Sequence, residues 1–207
     1  MSRRALPSRR VAAVAAALVG AVLLAPAPVV AGTTTPDVRM YDNRFGPVTT
    51  VVGQGESVEF TNFGRVVHDA SDGTGLDLFA TDLLAPPESE SITPLPGAGD
   101  YRYYCTFHPE MLGSLRVPVR ASHTQAPVGA WVTVRWAAER APAGLVFDVQ
   151  RRRPGADHFV EWRVDAIAAA AVFRPSQRGL WTIRARVREA GGVTSSAWSP
   201  VRGVRIT

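Results

Sequence analysis

Apolar and polar residues alternate most regularly in the last third of the chain. Trp181, Ile183, Ala185 and Val187 fall on one side of a period of two, and Thr182, Arg184, Arg186 and Arg188 on the other. That is the pattern of a strand with one buried face. Val132, Val134 and Trp136 repeat it, as do Phe147 and Val149, with turn signals at Pro154-Gly155 and Gly191-Gly192. Several short strands over roughly 80 residues make a sandwich. The small-residue run from Ala168 to Ala171 is too short and uncapped to assign as a helix. Earlier in the chain the alternation is looser. Val48 to Val52 and Ser57 to Asn62 flank Gly53-Gln54-Gly55, with Val58 and Phe60 alternating against Ser57 and Glu59. Two further strands are expected at Tyr101 to Cys105 and Ser114 to Val119, bounded by Gly97-Ala98-Gly99-Asp100 and by Gly113. The stretch from Ser71 to Pro96 is rich in Gly, Pro, Ser and Asp, and predicts loops with a short helical turn near Leu83. The fold class is therefore all-β.

The amino terminus does not fit this pattern. Arg3, Arg4, Arg9 and Arg10 precede an apolar run from Val11 to Leu24, closed by Pro26 and Pro28, and Val29 and Ala31 offer a cleavage site before Gly32. The run falls short of the ~20 residues that span a bilayer. Residues 1–31 thus read as a signal peptide, and the mature protein as exported, without a transmembrane anchor, to an extracellular, periplasmic or cell-surface location. Each arginine pair follows a serine, a hint of twin-arginine export that the next residues do not complete. No cysteine lies near the cleavage site, which excludes lipid attachment there.

Charge then divides the remainder. Residues 32–120 carry 6 Arg against 12 Asp and Glu, a balance of −6; residues 121–207 carry 13 Arg against 6, a balance of +7. A sign change this abrupt predicts two separately built units joined near Arg120 to Pro127. All positive side chains are arginine, as base composition of the genome explains at least as well as function.

The single cysteine, Cys105, belongs to a protein headed for a compartment where cysteines usually pair. A bound metal, an intermolecular disulfide or plain burial would each protect it. Its surroundings are Tyr103-Tyr104-Cys105-Thr106-Phe107-His108-Pro109-Glu110-Met111, a thiolate, an imidazole and a thioether at i, i+3 and i+6 between two strands. A fourth donor is offered by His68 in Val66-Val67-His68-Asp69. One thiolate and two imidazoles with a weak axial thioether is the donor set of blue copper. Structural zinc would call for more cysteines or carboxylates, and iron-sulfur clusters for several thiolates. A nucleophilic Cys with a His base would leave Met111 without a role.

With these residues in view, the segment resembles the copper loop of the cupredoxin family. Its Cys-x2-His-x2-Met spacing is most similar to that of amicyanins and shorter than that of plastocyanins. Phe45-Gly46-Pro47, Gly53 to Asn62 and Gly97 to Tyr104 resemble family segments in the family's order, and the likeness covers most of residues 37–119. It implies a Greek-key β-sandwich holding one type 1 copper at one end through His68, Cys105, His108 and Met111. Asp69 departs from the pattern, since the family commonly has Asn there to brace the cysteine-bearing loop. The second half is similar to fibronectin type III domains: Trp136 falls where that family has its core Trp, and Ser196-Ala197-Trp198-Ser199-Pro200 resembles its last-strand ending.

One copper exchanging one electron makes a carrier rather than an enzyme. Copper oxidases and nitrite reductases need further histidine-built sites, and beyond the two proposed ligands only His123 and His158 remain. The resemblance implies electron exchange at the edge of His108 within an apolar rim, for which Phe107, Pro109, Met111 and Leu112 are the candidates. The expected partners are a redox donor and an acceptor met in brief encounters; the basic second half is either a solvated arginine-rich surface or docks onto an anionic cell-envelope polymer or the acidic first half itself. Nucleic acid is not expected. The alternative function is a cell-surface module for copper delivery or sequestration, with an adhesive or spacer second domain. Arg152, Arg184, Arg186 and Arg188 are expected on one solvent face of that domain, with Arg151-Arg152-Arg153 at its margin.

Overall fold

The loose alternation of the first half resolves into two four-stranded sheets facing each other. The structure, a computed structural model, describes residues 35–207, so the expected signal peptide lies outside the described residues. The first strands are β1 (Asp37–Tyr41), β2 (Arg44–Gly46), β3 (Thr49–Val51), β4 (Val58–Asn62), β5 (Ser71–Asp72), β6 (Ser89–Ile92), β7 (Gly99–Cys105) and β8 (His108–Val117). They form sheets of order β2-β1-β4-β6 and β3-β8-β7-β5. Strand β1 runs parallel to β4 and β3 parallel to β8, while β7 and β8 form an antiparallel hairpin. Val38, Met40, Phe45, Val58 and Phe60 are buried from one sheet, and Tyr101, Tyr103, Cys105, Met111, Leu115 and Val117 from the other. Tyr103 packs edge-to-face on Phe45 and Phe60, with ring centroids 4.7 and 5.4 Å away.

Two sequence expectations are corrected here. The stretch after Ser71 contains β5 and β6, and among the described residues no helical turn forms near Leu83. Leu84 instead pairs with His68 through both backbone bonds, at 3.2 and 2.9 Å. Strand β8 also begins six residues earlier than Ser114, because the hairpin closes directly over Thr106-Phe107.

The second half adds β9 (Arg120–Ala121), β10 (Gln125–Ala126), β11 (Val132–Arg135), β12 (Leu145–Arg152), β13 (Val160–Ala166), β14 (Ala170–Phe173), β15 (Gly179–Glu189) and β16 (Arg202–Ile206). Their sheets have the orders β14-β11-β9 and β10-β16-β15-β12-β13. Trp136, Phe147, Val149, Phe173, Ile183, Ala185 and Val187 are buried between them. The small-residue run ends in β14, paired antiparallel with β11.

Strands β12 and β15 are sheet neighbours, with Asp148 opposite Arg186 and Gln150 opposite Arg184. The arginines are not simply solvated, however. Buried Asp148 accepts from Arg186 Nε at 3.1 Å and Arg188 Nε at 2.9 Å, leaving the Arg188 side chain 12% exposed. Arg184 donates to Gln150 Oε1 and lies over the rings of Phe159 and Trp198, 4.1 and 4.6 Å from their centroids. Reading only alternation, one sees charge on the outward face; the carboxylate and rings that cover it come from other strands and loops.

Residues Thr34–Thr207 form one compact unit. Asp100 of β7 exchanges backbone bonds with Ala197 at 3.0 and 3.1 Å, Ala98 N donates to Trp136 O at 2.6 Å, and Gln54 Nε2 reaches both Pro118 O and Arg135 O. The buried apolar cluster runs without a break from one sandwich into the other.

Candidate metal centre

At the far end of β7 the hairpin delivers Cys105 and His108 to one spot. The register is Cys105 opposite His108, with an irregularity after Tyr104, so a two-residue connection turns both side chains toward the sandwich. His68 arrives from the opposite direction, fixed by its pairing with Leu84. Buried Asn62 holds the approach: its Nδ2 donates to Val66 O and Leu84 O, both at 2.8 Å, and its Oδ1 accepts from Gly64 N. Gly64 packs closely against this site. A Cβ there would lie 2.6 Å from Asp42 Oδ1 and 3.1 Å from His68 Nε2.

Cys105 Sγ is 3.7 Å from His68 Nδ1 and 3.5 Å from His108 Nδ1, and the three donor atoms lie within 4.8 Å of one another. Nitrogen and sulfur bound to one ion at ~2.0 and ~2.3 Å, at an angle near tetrahedral or trigonal, are themselves separated by ~3.6 Å. The observed spacing therefore matches donors aimed at a common point. His68, Cys105 and Met111 have no exposed surface, whereas His108 is partly exposed. Met111, three residues beyond His108 on β8, points into the core. It does not join Phe107 and Leu112 on the surface, which are 59% and 60% exposed, so the expected apolar rim loses one member to the interior.

Burial pushes the Cys105 thiol above its ordinary pKa, against backbone N–H groups that favour the thiolate. Burial, and then the neighbouring His108, push His68 below its ordinary value. Two imidazoles with Nδ1 facing a soft sulfur form a site suited to a cation, since a bound cation favours the thiolate that burial alone disfavours. The set of donors fits a single type 1 copper.

Two supporting carboxylates complete the picture. Asp69 accepts from Thr106 N at 2.7 Å and Thr106 Oγ1 at 2.8 Å, so the residue that departs from the family's Asn performs the bracing ascribed to Asn. Asp42 escaped sequence reasoning. Its Oδ1 lies 3.7 Å from the otherwise unpartnered His68 Nε2, and hydrogen bonds from the Arg65 backbone and guanidinium hold its pKa down at about 2. Nothing in the spacing between residues 42 and 68 signals this pairing; the β1–β2 turn creates it.

No family model and no curated protein matches the chain. Solved structures similar to it include a purple cupredoxin from Nitrosopumilus maritimus, at 22% identity over 40% of this chain and 98% of that one, TM-score 0.37. A copper-containing nitrite reductase from Thermus scotoductus SA-01 shows 32% identity over 41% of this chain, TM-score 0.37, and the match spans only 22% of the reductase. Amicyanin from Paracoccus versutus shows 24% identity over 41% of this chain and 82% of that one, TM-score 0.37.

Proposed function

We propose that this chain is an exported mononuclear type 1 copper protein that carries single electrons between redox partners, with His68, Cys105, His108 and Met111 as the ligands. The observation that carries the reading is the placement of Cys105 Sγ 3.7 and 3.5 Å from two histidine Nδ1 atoms. Copper, when bound, supplies a one-electron couple. The chain's own residues supply a soft thiolate, two imidazoles and a buried thioether, with hydrogen bonds of Asn62 and Asp69 holding the segments that carry His68 and Cys105. Donors fixed in this way restrict geometric change between oxidation states, which suits transfer better than delivery of the ion. The burial of His68, Cys105 and Met111 points the same way, because release would have to pass the partly exposed His108. Four donors also leave no open position for a reacting substrate, so we read the protein as a carrier and not an enzyme.

Exposed Phe107, Pro109 and Leu112 beside His108 suit a small apolar contact with a redox partner, of the kind that buries under ~1,200 Å². We read residues 32–120 as the copper domain and 121–207 as a fibronectin type III-like domain, on the three- and five-stranded sheets around Trp136. Its excess of arginine suits an anionic envelope polymer. The test is spectroscopic: the copper-loaded, oxidised full chain should show intense visible absorption from thiolate-to-copper charge transfer, with a type 1 EPR signature. Cys105→Ser should remove both. An unchanged visible spectrum in that variant would refute the assignment.

A further inference from the structure

Along β12, Phe147 and Val149 face the core, and the next residue of the same parity is Arg151. Binary patterning calls for an apolar side chain there, and the residue opposite on β15 is buried Ile183. An arginine at an inward register position breaks a local rule, and such breaks concentrate at functional sites. The Arg151 guanidinium lies 5.8 Å from each of the ring centroids of Trp162, Phe173 and Trp181. Most arginines on neighbouring strands have acceptors: Arg152 donates to Thr182, Arg184 to Gln150, and Arg186 and Arg188 to Asp148. Arg151, though partly buried, has no such acceptor among the described residues, and no carboxylate lies within 4.0 Å of it. Its guanidinium faces the three rings and the cavity rather than an anionic side chain.

This side chain lines a cavity of about 670 Å³ together with Arg153, His158, Ser176, Gln177 and Trp181. Trp181 Nε1 donates to Gln177 O at 2.9 Å, which fixes the indole at the cavity wall. Asp157 is the acidic member of the lining, outnumbered by two arginines. The cavity has the size of a small-ligand site, an unpaired planar donor at its wall, and ring surface beside it.

We propose that this cavity binds an oxyanion group, a carboxylate or a phosphate, through the Arg151 guanidinium, with Arg153 reinforcing its positive potential. A planar fork of donors matches either anion in bidentate fashion. The site narrows the anionic-polymer docking suggested above to one place, and it rests on that reading for its ligand. The full chain is titrated calorimetrically with a galacturonate oligomer and, separately, with inorganic polyphosphate, which distinguishes a carboxylate from a phosphate source. Saturable binding of one of them is expected, weakened at least tenfold by Arg151→Gln. Arg140→Gln, which removes one charge from an exposed loop, should change it less than twofold. Ser176→Asp keeps Arg151 and its rings in place, supplies an internal counter-ion, and should abolish binding even if Arg151→Gln folds poorly. Equal weakening by Arg140→Gln and Arg151→Gln would overturn the cavity while leaving docking by general charge intact. Absence of binding to both polymers would overturn both.

Discussion

Asp69→Asn separates the two contributions of the carboxylate that braces the copper loop. Asparagine retains an acceptor for Thr106 N, and its amide can donate to the Thr106 hydroxyl in place of the bond now accepted by Asp69 Oδ2. The brace should therefore survive while a negative charge is lost. The Asp69 side chain lies within hydrogen-bonding reach of the Cys105 sulfur, a separation on the order of 4 Å. At an effective dielectric of ~20, one charge at that distance amounts to about 4 kcal/mol. For a one-electron couple, ~59 mV corresponds to tenfold, which makes the expected change up to roughly 170 mV. Its sign is upward, because a fixed negative charge favours the more positive oxidised site. Voltammetry on the copper-loaded chain measures this directly, and the melting temperature should barely move. Asp69→Ala should raise the potential similarly but also melt earlier, since hydrogen bonds to a charged acceptor contribute ~1.5–3 kcal/mol each. A potential that stays put or falls in Asp69→Asn would refute the electrostatic reasoning.

Met111→Leu should retain copper but raise the potential, as a weak axial donor favouring the oxidised ion is removed; redox titration checks it. Gly113→Ala should destabilise the chain by about 1–3 kcal/mol, because a Cβ there would lie 2.2 Å from the Tyr103 ring, and the same substitution should cost less in a Tyr103→Leu background, as urea melts of the double-mutant cycle would show. Asp148 is pushed up by burial, but hydrogen bonds from Arg188 and Arg186 outweigh that and hold its pKa below the ordinary value. Its contribution is thus complete above the unfolded carboxylate value of ~3.9 and is lost as pH falls through the folded one. Asp148→Ala should cost about 3–5 kcal/mol at pH 7 and converge with the parent chain in strongly acidic urea melts.

The meeting of Cys105 and His108 was legible because chemistry and spacing coincide in one short hairpin segment. Adding His68 required only that one histidine end an apolar stretch. What alternation along a strand could not reveal is anything contributed from across the fold. Asp42 reaches His68 by way of the β1–β2 turn, and Asp148 draws in Arg186 and Arg188 from a strand far along the sequence. The bracing role of Asp69 depends on Thr106, a residue with no motif of its own. Leu83 illustrates the limit of local propensity, because the pairing of its neighbour Leu84 with His68 claims the backbone that a helical turn would have used.

The change of charge sign near residue 120 suggested two independent units, yet the contacts across that boundary are of the kind found inside one. Asp100 and Ala197 exchange both backbone bonds, Ala98 N is satisfied by Trp136 O, and Gly97 leaves no space for a Cβ, which would lie 2.6 Å from the Phe147 ring. Strand β7 spans the distance between this boundary and the copper loop. At ~3.3 Å per residue, its five steps from Asp100 to Cys105 place the two roughly 17 Å apart. The second sandwich therefore attaches at the end of β7 away from Phe107 and Leu112, leaving them exposed. Separating the sandwiches would expose Trp136 O and Ala98 N without their partners, a cost that couples the two cores. Heating the copper-loaded chain should accordingly give one transition, with visible absorbance, reporting Cys105, and tryptophan fluorescence, dominated by the second half, changing at the same temperature. Two transitions resolved by these probes would show that the boundary bonds break independently of the cores, and that the charge division does mark two autonomous folding units.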